Sequence, residues 1–150
     1  MHTKRQKSPP PLSAALSDPT DASGLDGAIT VLVVDDEPLM IMVVCTMLLT
    51  LGYRAFTASN SEEAMRIITA PESPRINILL TDYWMSGMLG DELAKHFRKA
   101  CPAAGIILMS GHFDELPRTP HSLILTKPFH AEALRDKLRE ALSIGRGLDT

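Results

Sequence analysis

Acidic, hydroxyl and ammonium side chains follow short apolar segments at several points in this 150-residue chain. They belong to Asp35, Asp36, Asp82, Ser110 and Lys127. Three carboxylates that lie close together repel one another unless a cation offsets their charge. Mg²⁺ prefers carboxylate and water oxygens, and a lysine ammonium suits a phosphoryl oxygen or a carboxylate. Together these groups supply what phosphoryl transfer onto an aspartate requires, because the protein there mainly positions groups and neutralises charge.

Alternating apolar strands and helices are predicted to position these side chains. The β-branched and apolar runs predict strands over residues 29–34, 53–57, 76–81, 105–109 and 123–125. Helices are predicted over residues 38–51, 59–69, 91–100 and 131–142. Ser59 and Glu62 have the spacing of a capping box at the start of the second helix. Pro117 and Pro120 predict that any helix between the fourth and fifth strands is abbreviated or irregular.

This alternation predicts an α/β fold with a doubly wound, five-stranded parallel sheet and right-handed crossovers. In such folds the functional site lies outside the carboxyl ends of the strands. The first, third, fourth and fifth predicted strands end in the acidic, hydroxyl and ammonium side chains. We therefore expect these side chains to converge at one edge of the sheet.

Composition limits the class of protein further. Hydrophobic residues make up 45% and charged residues 22% of the chain, which is typical of a globular domain. A formal net charge of -3 argues against a dedicated nucleic-acid binder, and no apolar run reaches the roughly 18 residues of a membrane span. Cys45 and Cys101 lack metal-binding or CxxC spacing. They predict reduced thiols in a cytoplasmic protein, without a disulfide framework.

The motifs resemble those of a response-regulator receiver domain from two-component signalling. The matching segments are Val33-Val34-Asp35-Asp36-Glu37-Pro38, Leu80-Thr81-Asp82 with Met85 and Gly90, Met109-Ser110-Gly111, and Thr126-Lys127-Pro128-Phe129. The resemblance implies a flavodoxin-like (βα)5 fold with strand order 2-1-3-4-5. We expect the receiver domain to span residues 28–144, between a disordered Pro/Ser-rich tail of residues 1–27 and a short tail of residues 145–150.

The resemblance also implies a role for each site residue. Asp82 is the implied phosphoacceptor, and Asp35 and Asp36 would hold Mg²⁺ with Asp82 and the backbone carbonyl of Trp84. Ser110 and Lys127 would contact the phosphoryl group, and the Lys127-Pro128 peptide would be cis. The implied phosphodonor is a histidine kinase or a histidine phosphotransfer protein. Only eight residues follow Leu142. The expected protein is therefore a stand-alone receiver, not itself an enzyme, that signals through a protein contact.

Three positions depart from the usual pattern or add to it. Ser86 follows Met85 where the family usually has proline, which predicts a looser loop after the phosphoacceptor. Ile124 stands where the family often has an aromatic switch residue, three positions before the lysine. Trp84 and His112 are expected to flank the path of an attacking water and so to tune the phosphoryl lifetime. The rival interpretation is that both are loop residues with no kinetic role.

The first predicted helix has no charged residue between positions 39 and 51. One face is expected to pack on the sheet, namely Leu39, Met42, Val43, Met47 and Thr50. The outward face, which we expect to dock a partner, comprises Met40, Ile41, Val44, Cys45 and Leu48. Three occupants of that face are possible. They are the kinase or phosphotransfer protein, a second copy of the chain, and the amino-terminal tail.

Two other functions are compatible with the same residues. One is a receiver-like interaction module that is never phosphorylated. The other is a small Mg²⁺-dependent phosphatase that passes through an aspartyl-phosphate. A phosphatase of this kind would normally carry a general acid two residues after the nucleophile, and that position is Trp84.

Overall fold

A computed structural model of the protein describes residues 28–111 and 122–149. The strands are β1 (Thr30–Val34), β2 (Arg54–Ala58), β3 (Ile78–Asp82), β4 (Gly105–Ser110) and β5 (Ser122–Thr126). The described helices are α1 (Pro38–Thr50), α2 (Ser61–Thr69), α3 (Gly90–Ala100) and α4 (Ala131–Asp149). None of these helices is both long enough and apolar enough to cross a bilayer.

All five strands are parallel and lie in the order β2-β1-β3-β4-β5. The central strands β1, β3 and β4 are buried along their whole length, which explains their continuous apolar runs. The predicted doubly wound sheet and its strand order are therefore confirmed.

Helices cover both faces of the sheet. On one face α2 and α3 pack through Ala64, Ile68, Leu93, Ala94 and Phe97. On the other face α1 and α4 pack through Ile41, Val44, Leu48, Leu134 and Leu138. Because neighbouring strand residues point to opposite faces, Leu79 belongs to the first core and Leu80 to the second.

The predicted orientation of α1 is wrong. Ile41, Val44, Cys45 and Leu48 are buried against the sheet, and Met40 is half-buried. The exposed side chains include Leu39, Met42 and Val43, which were expected to face the sheet. The helix carries no charged residue, and the hydroxyls of its exposed Thr46 and Thr50 donate to carbonyls of the same helix, so its solvent side is only weakly marked in the sequence. The residues predicted for docking therefore belong mainly to the core.

Two helix boundaries differ from the prediction by more than one residue. The cap of α2 lies one residue later, because Asn60 Oδ1 accepts a hydrogen bond of 2.7 Å from the Glu63 backbone N–H. Glu63 Oε1 in turn accepts one of 2.7 Å from the Ser59 backbone N–H. Helix α4 continues to Asp149, past the predicted end at 142 and through most of the expected short tail. The tail of residues 1–27 and residues 112–121, which include His112, Pro117 and Pro120, lie outside the described residues.

Candidate functional site

The carboxyl end of β1 carries two acids with opposite environments. Asp35 is 1% exposed, and its Oδ1 accepts a hydrogen bond of 2.9 Å from the Glu37 backbone N–H. Asp36 is exposed, because successive residues of an extended chain point in opposite directions. The hydrogen bond from Glu37 fixes the buried carboxylate at the start of α1.

Asp82 is the last residue of β3 and is 8% exposed. The Tyr83 N–H donates to the Met109 carbonyl at 2.9 Å, and the Gly90 N–H donates to the Tyr83 carbonyl at 2.8 Å. A Cβ atom at Gly90 would lie 2.8 Å from Tyr83 Cα. Because backbone atoms approach so closely here, position 90 accommodates only glycine. These contacts hold the segment after Asp82 against the end of the sheet.

Lys127 follows β5 and reaches back to both buried acids. Its Nζ lies 2.9 Å from Asp82 Oδ1 and 3.3 Å from Asp35 Oδ2. Its backbone N–H donates to the Ser110 carbonyl at 2.8 Å, which ties the lysine to the end of β4. The Lys127-Pro128 peptide is cis, as predicted. The expected convergence of these groups at one edge of the sheet is confirmed.

Burial and charge pairing act in opposite directions on the pKa values of Asp82 and Lys127. Burial raises the pKa of Asp82 above its usual value, although the hydrogen bond and positive charge of Lys127 act in the opposite direction. Burial alone would lower the pKa of Lys127, but its hydrogen bond to Asp82 and the charge of Asp35 raise it. Lys127 therefore stays cationic at neutral pH, while the ionised form of Asp82 is disfavoured by its surroundings.

The acidic residues have a donor set that fits a hard divalent cation. One carboxylate oxygen from each of Asp35, Asp36 and Asp82 lies within 4.8 Å of the other two. Opposite ligands of an octahedral Mg²⁺ are roughly 4.2 Å apart when each lies about 2.1 Å from the ion. When all three acids are ionised, Lys127 neutralises only one of the negative charges.

The remaining predicted site residues occupy different positions. Ser110 ends β4 and is buried at the same edge of the sheet. Trp84 is 46% exposed, and its ring meets that of Tyr83 edge to face with centroids 4.8 Å apart. Ile124 is half-buried and packs beside the core beneath α2 and α3.

Sequence reasoning missed two groups that shape the site. The Thr81 side chain, immediately before Asp82, is fully buried and donates a hydrogen bond to the Asp82 carbonyl. The Glu37 N–H holds Asp35. A buried threonine at a strand end was a visible signal for the first group, but the second depends on the backbone path and had no sequence signal.

The fold and site define a parallel α/β domain with an acidic, lysine-containing site at the carboxyl edge of its sheet. The model of the response regulator receiver domain family matches residues 31–139. The chain therefore belongs to that family and is a receiver domain of two-component systems.

Individual relatives agree with this assignment. The two-component response regulator ORR6 of Oryza sativa subsp. japonica is 34% identical over 70 residues, which cover 47% of this chain and 41% of that protein. Sensor kinase CckA of Brucella abortus (strain 2308) is 29% identical over 137 residues, which cover 88% of this chain. The match spans only 14% of that kinase.

Solved structures support the same fold. The receiver domain of hybrid histidine kinase CckA superimposes with a TM-score of 0.64 at 27% identity, covering 75% of this chain and 98% of that one. A response regulator receiver domain protein from Clostridium thermocellum gives a TM-score of 0.68 at 27% identity, covering 77% of this chain and 94% of that one.

Proposed function

We propose that Asp82 accepts a phosphoryl group from a phosphohistidine, with Mg²⁺ held by Asp35, Asp36, Asp82 and the Trp84 backbone carbonyl. The observation that carries this proposal is the contact of Lys127 Nζ with Asp82, 2.9 Å away, beside two further carboxylates. The donor we propose is a histidine kinase or a histidine phosphotransfer protein, and the output is a protein contact.

The chemical step is a displacement at phosphorus. An ionised Asp82 oxygen attacks the phosphorus atom, and an O–P bond forms as the N–P bond breaks. The electron pair of the broken bond returns to the imidazole nitrogen of the donor. Lys127 favours the ionised form of Asp82 through its hydrogen bond and charge. Its ammonium and the Ser110 hydroxyl would then contact the oxygens of the transferred group.

Magnesium has a limited, electrostatic role in this proposal. When bound, Mg²⁺ supplies positive charge that offsets the repulsion between the phosphoryl oxygens and the three carboxylates. Asp35 is pre-oriented for it by the Glu37 N–H, and the exposed Asp36 can adjust. Trp84 and His112 remain proposed modulators of the phosphoryl lifetime.

The surface that we propose for the phosphodonor is the exposed face of α1, which replaces the set predicted from the sequence. Leu39 is 71% exposed, and Met42 and Val43 are about half exposed. This face begins in the first turn of α1, directly after Asp35 and Asp36, so it is continuous with the site. Methionine side chains adapt to varied apolar partners. A homodimer through the same face is the rival, and light scattering over a range of protein concentrations distinguishes the two.

Phosphorylation with acetyl phosphate and Mg²⁺ tests the central proposal. The intact mass should rise by one phosphoryl group (about 80 Da), and the product should be sensitive to hydroxylamine, as an acyl phosphate is. Asp82→Asn should abolish the modification, because an amide is not a nucleophile of this kind. Asp91→Asn, in the first turn of α3, is the matched control and should still be modified.

Each other outcome identifies a rival. A folded wild-type protein that takes up no phosphoryl group would favour the inert interaction module. Repeated turnover of simple phosphomonoesters, lost in Asp82→Asn, would favour the phosphatase. Modification that survives in Asp82→Asn would contradict the assignment of the phosphoacceptor.

A further inference from the structure

The peptide group after Asp82 is held by fewer sheet contacts than the rest of β3. Pairing between β1 and β3 ends at Val34 and Thr81, one residue before Asp82. The loop that follows carries Ser86 where the family usually has proline, so its backbone is less restricted. On the β4 side, the Tyr83 N–H of this peptide group donates to the Met109 carbonyl at 2.9 Å. The side toward β1 is therefore the one where a further contact would restrain the Asp82 carbonyl.

The Thr81 side chain is in a position to do so. It is fully buried, and its Oγ1 donates a hydrogen bond of 3.0 Å to the Asp82 backbone carbonyl. The same Oγ1 lies 4.0 Å from Met85 Sδ, a much weaker acceptor three residues further into the loop. The hydroxyl therefore donates mainly to the Asp82 carbonyl and also lies beside the Met85 side chain of the same loop.

The remaining contacts of the loop support this interpretation. The Gly90 N–H donates to the Tyr83 carbonyl at 2.8 Å, and the Ser61 hydroxyl donates to the Met88 carbonyl at 3.2 Å. These two bonds hold the later part of the loop, whereas the Thr81 hydroxyl and the Tyr83 N–H hold its first peptide group from opposite ends. A valine would fill the same volume and suit the strand equally well. Neither packing nor strand propensity requires the hydroxyl of Thr81, so another role must account for it.

We infer that Thr81 is a positioning residue, which orients the Asp82 carboxylate by fixing the peptide group that follows it. This inference rests on the proposed phosphoacceptor role of Asp82. The hydroxyl does not touch the phosphoryl group and acts only through the backbone of Asp82. Its loss should therefore lower the rate of the chemical step and leave the affinity for the phosphodonor nearly unchanged.

The test compares Thr81→Val with the wild type and with Thr81→Ser, in which a hydroxyl is retained. With acetyl phosphate and Mg²⁺, Thr81→Val should reduce the maximal phosphorylation rate by about threefold to tenfold, the loss expected for one hydrogen bond. The half-saturating donor concentration should change by less than about twofold. Thr81→Ser should recover most of the rate.

A matched control is available at the opposite edge of the sheet. Thr30 is also buried, at the start of β1. Thr30→Val makes the same replacement far from Asp82 and should leave the phosphorylation rate unchanged. Thermal unfolding of each variant shows whether it is folded. If Thr81→Val does not fold, Thr81→Ala takes its place in the comparison.

Trp84 provides a measurement that is independent of phosphorylation. It is the single tryptophan of the chain and lies two residues after Asp82. A loosened loop should make its fluorescence more accessible to acrylamide in Thr81→Val, but not in Thr81→Ser or Thr30→Val. If wild-type protein were not phosphorylated, the proposed function would fail, and this comparison would still test the hydroxyl.

Two results would overturn the inference. The first is a Thr81→Val protein with the wild-type phosphorylation rate and quenching. The second is a Thr81→Ser protein as slow as Thr81→Val, because the defect would then follow from the change in packing and not from the hydroxyl.

Discussion

Lys127 Nζ lies 2.9 Å from Asp82 Oδ1, although β4 lies between β3, which Asp82 ends, and β5, which Lys127 follows. The same ammonium is 3.3 Å from Asp35 Oδ2, so one cation links the ends of β1, β3 and β5. An incoming phosphoryl group would meet a lysine already directed at the attacking oxygen. When all three acids are ionised, one ammonium faces three carboxylates. The uncompensated negative charge should lower the stability of the folded state.

Asp82→Asn should stabilise the metal-free protein at neutral pH. Burial raises the pKa of Asp82 above its usual value of 3.8, so ionisation weakens the folded state more than the unfolded state. Stability from this group is therefore complete below the usual pKa and is lost as pH rises through the folded-state pKa. In EDTA at pH 7, the variant should melt about 2–4 °C above the wild type, equivalent to about 1 kcal/mol.

The pH and metal dependence of that difference provide its controls. Near pH 3.5 the gap should close, because the wild-type carboxyl is then protonated. Added Mg²⁺ should raise the melting temperature of the wild type more than that of the variant, because a ligand stabilises the state that binds it. A variant that melts below the wild type at pH 7 would show that the Lys127–Asp82 ion pair outweighs burial.

The two faces of α1 should respond differently to truncation. Leu48 is fully buried, so Leu48→Ala should lower the free energy of unfolding by about 2–4 kcal/mol, through lost burial and the cavity that remains. Leu39 is 71% exposed, so Leu39→Ala should change it by less than about 0.5 kcal/mol. Urea denaturation measures both values. A large loss from Leu39→Ala would mean that a second copy or another segment covers that face.

The same pair of variants tests the docking proposal. Leu39→Ala should slow phosphotransfer from a histidine kinase or phosphotransfer protein while leaving the rate with acetyl phosphate unchanged, because the small donor does not contact α1. The measurement is the ratio of the two rates for each protein. Equal loss with both donors would place the defect in the site and not in docking.

Gly105 should tolerate no side chain. A Cβ atom there would lie 2.8 Å from Ala141 Cβ and equally close to the Ala141 carbonyl carbon, so α4 would have to move away from β4. Gly105→Ala should therefore lower the free energy of unfolding by about 1–3 kcal/mol, as overpacked cores do. Gly111→Ala is the control, because the nearest atom to its Cβ is the Lys127 carbonyl oxygen at 4.0 Å. A neutral Gly105→Ala would show that α4 adjusts freely.

Much of the site could be predicted from the sequence, because the positions of its residues follow from the order in which strands and helices alternate. Strands joined by right-handed helical crossovers bring their carboxyl ends to one edge, so residues at the carboxyl ends of β1, β3, β4 and β5 must approach one another. Asp35, Asp82 and Lys127 were found in this way. The Glu37 N–H and the Thr81 hydroxyl were not, because their roles depend on the path of individual peptide groups.

The orientation of α1 shows where sequence patterns lose their information. A helix with one polar face has a defined phase, as in α3, where Leu93, Ala94 and Phe97 are buried between charged neighbours. In α1 no residue is charged and only Thr46 and Thr50 are polar, so the periodicity distinguishes poorly between several choices of buried face. In the folded protein, packing against the sheet buries Ile41, Val44, Cys45 and Leu48.

The Cys45 thiol should be protected at neutral pH and should affect stability in alkali. Burial raises the pKa of Cys45 to about 11, so alkylation by iodoacetamide at pH 8 should modify the half-buried Cys101 first. The stability that comes from keeping the Cys45 thiol neutral is complete below its usual pKa of 9.0 and is lost as pH rises through about 11. Cys45→Ala should thus be less stable at pH 8 yet lose less stability than the wild type between pH 9 and pH 11. Cys101→Ala is the control for labelling, and rapid alkylation of Cys45 in the folded protein at pH 8 would contradict the burial of α1 against the sheet.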